Sequence, residues 1–286
     1  MPIERPGDFH CQVKCKVYNH AAMPRTTPPL QLPRSPLIFV LAQVKISPVM
    51  TIEDRIPELQ ETFRKRGYPR LSHRKIEISA HGPDGQVEPQ ETLRQWEFIN
   101  KEGTASLLID EKGLTSQMAR YEVFETLIES MRTALELFGK QVEPDLLQRV
   151  GLRYVDLVVP TEGKAIHSYF AESLRGFSIS AEDDREAFFC ESVSRTGTDS
   201  RFVHRYVEAN RGFGFPPDLL PVSLELRRDP RLESPFGLLD LDHHITVEED
   251  FSVDSAIAHF EFLHHHQTLA FKASVTPAAL EEWRQP

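Results

Sequence analysis

The sequence predicts an α+β fold made of two halves, each reading strand, helix, four strands, helix. Three observations carry this. Short segments of alternating or continuous apolar character, spaced by Gly and Pro, outnumber the helical patterns. Two long amphipathic helix patterns lie far apart, one before the chain's midpoint and one near its end. A β-branched and apolar run, Arg149–Val159, sits almost at the middle and reopens the order with which the chain begins. Such an order predicts two antiparallel sheets, each curled around a long helix.

Residues 1–36 read as an extended or disordered tail, because Pro24, Pro28, Pro29, Pro33 and Pro36 oppose regular structure. His10, Cys11, Cys15 and His20 are metal-ligand types, but Cys-x3-Cys-x4-His in a tail is a poor zinc signature. Met23 offers a second place for translation to start.

The first half, 37–147, opens with a strand at Leu37–Ile46, where Ile38, Val40, Ala42, Val44 and Ile46 form one face. Ser47-Pro48 ends it, and a helix follows with Thr51 as N-cap and Ile56, Leu59 and Phe63 as its stripe. Pro57 leaves the start of that helix ambiguous. Strands are predicted at Arg74–Ala80, Leu93–Asn100, Thr104–Asp110 and Leu114–Arg120, with a polar loop over His81–Glu91. Tyr121–Lys140 is the clearest helix, with Phe124, Leu127, Ile128, Met131, Leu135 and Phe138 in register and Gly139 as C-cap.

The second half, 148–286, repeats the order. Its strand at Arg149–Val159 is followed by a short helix near His167–Arg175. Strands are predicted at Glu186–Arg195, Ser200–Ala209, Val222–Arg228 and Leu238–Val247. A long helix spans Asp254–Phe271, and Thr276-Pro277 opens a short terminal one. The order of elements resembles the TATA-binding-protein-like or helix-grip arrangement, in which two copies join into one saddle-like sheet with a pseudo-two-fold axis.

Composition narrows function by exclusion. The net charge is -10, and residues 1–36 hold five basic and two acidic residues, leaving -13 on the body. A body this acidic repels phosphate at long range, which argues against general nucleic-acid binding. No apolar run approaches the ~20 residues that span a bilayer, and no basic-then-apolar leader opens the chain, so the expected location is cytoplasmic. Three scattered cysteines predict no disulfide framework, and no cofactor is expected.

Four sets of residues are candidates for chemistry. On a strand, Asp240, Asp242 and His244 share one face and offer carboxylate and imidazole ligands to a divalent metal, with His243 on the other face; a solvated polar sheet face is the alternative. Arg149 and Arg153 share a face of the central strand, where they would hold a carboxylate or phosphate or else pair with a neighbouring acid. His264 and Gln267 fall on the apolar stripe of the last long helix and need partners there, structural or catalytic. Phe213 and Phe215 lie in a Gly- and Pro-rich loop, Ala209–Pro221, and are expected to be exposed and to contact a partner. Cys190 has no neighbouring base to activate it, and no P-loop, nucleophile elbow or complete Rossmann glycine pattern occurs.

The stretch Pro36-Leu-Ile-Phe-Val40 with Gln43 and Ser47-Pro48 is joined by Arg149-Val-Gly-Leu-Arg-Tyr-Val155, Leu239-Asp-Leu-Asp242 and Phe262-Leu-His264 with Phe271. Together these resemble the sporadically distributed conserved hypothetical family of prokaryotes over about residues 36–283. That resemblance implies no established activity and no catalytic residues, and a patchy distribution like that of mobile or defence-associated genes. The expectation is therefore a non-enzymatic binding or regulatory protein acting on a protein partner, with a homodimer allowed by its edge strands. The alternative is a ligand-binding or metal-assisted hydrolytic enzyme with its site between the sheet and the last long helix, near Arg149, Arg153, Asp240, Asp242 and His264.

Overall fold

A computed structural model describes residues 32–81, 87–177 and 185–285, with side chains described outside 76–93. The zinc-like set and most of the tail thus lie outside the described residues; of the loop expected over His81–Glu91, His81 ends one strand and Val87–Glu91 begin the next, with 82–86 outside the described residues.

The first half follows its predicted order. β1 spans Leu37–Ile46 and α1 spans Ile52–Lys65. Ile52, Ile56, Leu59 and Phe63 are buried, and Pro57 sits within the helix; Thr51 precedes it but makes no side-chain cap bond. β2 (Arg70–His81), β3 (Val87–Ile99), β4 (Ala105–Asp110) and β5 (Gly113–Met118) follow. α2 runs over Phe124–Val142 and ends on Glu143, which adopts a left-handed backbone at φ 49°. Gly139 is therefore not the cap: the ring of Phe251 lies 3.0 Å from where its Cβ would stand, so the glycine admits a close neighbour.

The second half departs from the repeat. β6 (Leu146–Val158) leads to two short 3-10 turns, Ile166–Ser168 and Glu172–Leu174, where one helix was expected. β7 (Ala187–Ser194) and β8 (Ser200–Ala209) follow. The expected strand at Val222–Arg228 does not form. Residues 210–235 instead make an irregular strap containing a two-residue ribbon of β9 (Gly212–Phe213) and β10 (Arg231–Leu232). Pro216, Pro217, Pro221, Pro230 and Pro235 bound its pieces, and Val222, Leu224 and Leu226 between them pack onto the strap-side cluster instead of pairing in a ladder. β11 (Phe236–Asp250), α3 (Val253–Ser274) and α4 (Pro277–Arg284) complete the chain. Thr276 caps α4 through a bond from the Ala279 amide, with Pro277 at the first position as predicted.

All nine long strands form one antiparallel sheet in the order β2-β3-β4-β5-β1-β6-β11-β8-β7, so the opening strands of the two halves lie side by side at its centre. Alternate residues of β6 separate its two faces. Val150, Leu152 and Tyr154 join one apolar cluster with residues of all four helices, among them Leu59, Phe138, Phe260 and Trp283. Val155 and Leu157 join a smaller cluster with Phe39, Leu238 and the strap's Phe215 and Leu224. The helices therefore cover one face of the sheet and the strap covers part of the other. Gly214 is required here, because a Cβ would fall 2.6 Å from a methyl carbon of Leu157. Polar contacts hold the strap across both halves: Ser223 donates to Glu97 at 2.7 Å, Arg74 to the Pro221 carbonyl at 3.0 Å, and the Glu225 amide to the Gly103 carbonyl at 2.8 Å.

Candidate functional site

Residues directly opposite in an antiparallel ladder share a face. The register therefore builds three rows across the strap-side face. They are Phe189-Val207-Leu238-Leu157, then Glu191-Arg205-Asp240-Val155, then Val193-Val203-Asp242-Arg153. Charges fill the middle of this array. Arg153 donates through Nε and Nη2 to both oxygens of Asp240, at 2.7 Å each. Its remaining contacts go to Asp218 of the strap, at 2.6 and 3.1 Å. Arg205 donates to Asp240 at 3.1 Å and to Glu191 at 2.6 Å. Burial opposes the charge on Arg153, but the bonds to Asp240 and Asp218 outweigh it and hold its pKa above the ordinary value. Arg153 is thus the structural ion pair of the two readings, and a ligand finds its fork already occupied.

Asp240, Asp242 and His244 do share a face, as alternation requires. Asp240, however, is engaged by two guanidinium groups, and among the described residues no three His, Cys, Asp or Glu side chains converge where a metal ion could be held. The expected metal set is corrected to one acid of an ionic network and two neighbours that stand outside it. His243 lies on the opposite face, fully buried, with Nε2 2.7 Å from Thr196 Oγ1 and Nδ1 3.3 Å from the Leu263 carbonyl. Burial, with His266 and His244 nearby, lowers its pKa to about 4.

The helix-covered face holds a second polar group. His264 Nδ1 lies 3.0 Å from the Tyr154 hydroxyl, and its ring stacks on Phe124 at 3.9 Å. Tyr121 lies 3.5 Å beyond, hydroxyl to hydroxyl. Burial lowers the His264 pKa to about 4 and raises that of Tyr154 well above its usual range. Gln267 donates to the carbonyls of Leu152 and Leu241 at 2.6 and 3.0 Å, tying α3 to the centre of the sheet. Asp156, two residues along β6 from Tyr154, is 4% exposed, and among the described residues its carboxyl has no hydrogen-bond partner. Burial and then the charge of Asp240 push its pKa up to about 8.

The sheet itself corrects the idea of one site formed by Arg149, Arg153, Asp240, Asp242 and His264: the first four belong to the strap-side face and His264 to the helix-covered face. Phe215 is likewise corrected. It is 2% exposed and meets Phe39 edge-on at 5.4 Å, so it is core, whereas Phe213 is 46% exposed. A cleft of about 340 Å³ between α1 and α2, lined by Phe63, Tyr68, Thr126 and Leu137, includes none of the candidate residues.

The strand expected at Glu186–Arg195 forms as β7, but sequence reasoning missed its place and exposure. It is one of the two terminal strands, and Phe189 and Val193 on its strap-side face are 61% and 50% exposed. At its start the Phe188 ring packs against Gly176, beside Phe177, which is 80% exposed. Cys190 is a free thiol in the same strand. The sequence placed Phe188, Phe189 and Val193 in a strand, and nothing in its local pattern marked that strand as the edge of the sheet. Among the described residues, no helix is long and apolar enough to cross a membrane. No protein-family model matches the chain, and no curated protein matches it.

Proposed function

We propose that the protein is a non-enzymatic, cytoplasmic binding module that docks a protein partner along β7. The observation that carries this is the exposure of Phe189 and Val193 on one face of a terminal strand, on either side of Glu191. An edge strand offers a row of backbone donors and acceptors, and most proteins blunt such edges with Lys, Pro or a bulge. β7 contains none of these: its sequence is Ala-Phe-Phe-Cys-Glu-Ser-Val-Ser, paired to β8 without a register shift. The occupant is an extended segment of a second protein that adds to the sheet, with apolar residues at alternate positions to meet Phe189 and Val193. The charge of -13 on the body favours a segment that is basic.

The architecture supports a duplicated, TATA-binding-protein-like origin: β1 and β6 adjoin at the sheet centre, with β5 and β11, the last long strand of each half, outside them. In this reading the strap replaces the missing strand of the second half. The proposal extends to membership of the sporadically distributed prokaryotic family named above.

The test is purification of the tagged protein from its native host, beside a Phe189→Asp/Val193→Asp variant and Phe213→Ala. The reading requires a stoichiometric protein that the double variant loses and Phe213→Ala keeps. Retention by the double variant, or a second copy of this chain as the only associate, overturns it.

A further inference from the structure

We propose that the strap-side face carries a binding site for a small oxyanion, a carboxylate or phosphate group, at Arg149, with Arg201 and His244 beside it. This site is separate from β7 and does not rest on the docking role given to that strand.

The first argument is the pairing of arginines. Among the described residues, every arginine that is not exposed has a carboxylate within ion-pair distance except Arg149. Arg74, Arg132, Arg153, Arg185 and Arg205 each meet an acid; Arg149, half-buried in the central strand, meets only the Gln43 side-chain oxygen, from Nη1 at 3.3 Å. Gln43 is itself held by a bond to Thr115 at 3.2 Å. Neutral groups therefore orient this guanidinium, and the charge of Asp242 reaches it only from beyond ion-pair distance. Burying a cation without a counter-charge is costly, and proteins rarely do so without a use for it.

The second argument is the surroundings. Gly151 sits one row along β6 from Arg149 on the same face, between Gln43 of β1 and His244 of β11. Lys45 and Thr246 flank Arg149, and Arg201 is opposite His244 on β8. Asp242, one row away on β11, forms no ion pair among the described residues. In the two rows that hold Arg149 and His244, the charged residues in register are Lys45, Arg149 and Arg201. Two polar atoms here, Arg149 Nε and His244 Nδ1, are buried with no hydrogen-bond partner. Burial lowers the pKa of Arg149, and burial with the charge of Arg149 lowers that of His244. The charge of Asp242 opposes both shifts without cancelling them. A carboxylate or phosphate supplies planar or tetrahedral oxygens to the part of the fork that Gln43 leaves free.

The experiment is a titration at low ionic strength of the full-length protein with sodium phosphate and, separately, sodium acetate, followed by NMR of the arginine side-chain Nε–H signals. Saturable movement of the Arg149 signal is expected, and the salt that causes it names the source of the oxyanion. Arg149→Lys keeps the charge and loses the fork; followed at the Arg201 Nε–H signal in both proteins, it should bind at least about tenfold more weakly, the loss of one charge-assisted bond. Arg201→Gln should weaken binding to a smaller extent, and the exposed Arg66→Gln not at all. Shifts that rise linearly without saturating, or that persist unchanged in a folded Arg149→Lys protein, overturn the proposal, as does an unmoved Arg149 signal with both salts.

Discussion

Arg153 and Asp218 face each other across 2.6 and 3.1 Å, and this pair pins an irregular strap to the centre of a nine-stranded sheet. The two partners are unequal. Arg153 is buried and also serves Asp240, whereas the side chain of Asp218 is 63% exposed. Removing Arg153 leaves Asp240 buried with only Arg205 beside it. Arg153→Met is therefore expected to cost about 3–5 kcal/mol, and Asp218→Asn about 1 kcal/mol or less. Urea unfolding of both variants checks the order; equal losses would show that the strap, not the buried acid, depends on Arg153.

The two loop phenylalanines separate in the same way. Phe215→Ala opens a cavity against Phe39, Leu157 and Phe236 and should cost about 3–5 kcal/mol. Phe213→Ala, on the surface, should stay within about 0.5 kcal/mol of the parent. Thermal or urea unfolding measured on both proteins decides this.

Stability should pass through a maximum near neutral pH. His243 and His264 have folded pKa values near 4, below their ordinary 6.5, so the unfolded chain binds more protons between those limits. Their contribution is complete above pH 6.5 and is lost as pH falls toward 4. Asp156 has the opposite sign. Its folded pKa is about 8 against an ordinary 3.8, so its contribution is present at low pH and is lost as pH rises through 8. With two histidines against one carboxyl, stability should rise from pH 4 to 6.5 and then decline toward pH 8. Asp156→Asn should abolish the decline; a parent protein whose stability is flat from pH 6.5 to 8 contradicts the burial of an unpartnered Asp156.

Much of the fold was legible because each half-buried strand carries its own period. Val40, Ala42, Val44 and Ile46 keep the predicted face of β1, whereas Ile38 joins the strap-side cluster with Phe39 next to a register shift; the same alternation puts Arg153, Asp240, Asp242 and His244 on one face. The strap was not legible. Val222, Leu224 and Leu226 alternate as a strand would, but they lie across a face and not at an edge, and only Leu224 is buried. Nor does sequence say which face a helix covers, so His264 was grouped with arginines that the sheet holds on its other side. Asp218 lies 65 residues from Arg153, beyond the reach of any local pattern.

Hydrogen–deuterium exchange shows whether a partner docks on β7. The complex recovered from the host would be compared with the free protein, peptide by peptide. The account predicts that slowed exchange concentrates in Ala187–Ser194, because an added strand satisfies the outward amides of β7. Unchanged exchange in β7, with protection appearing on another surface, would contradict it.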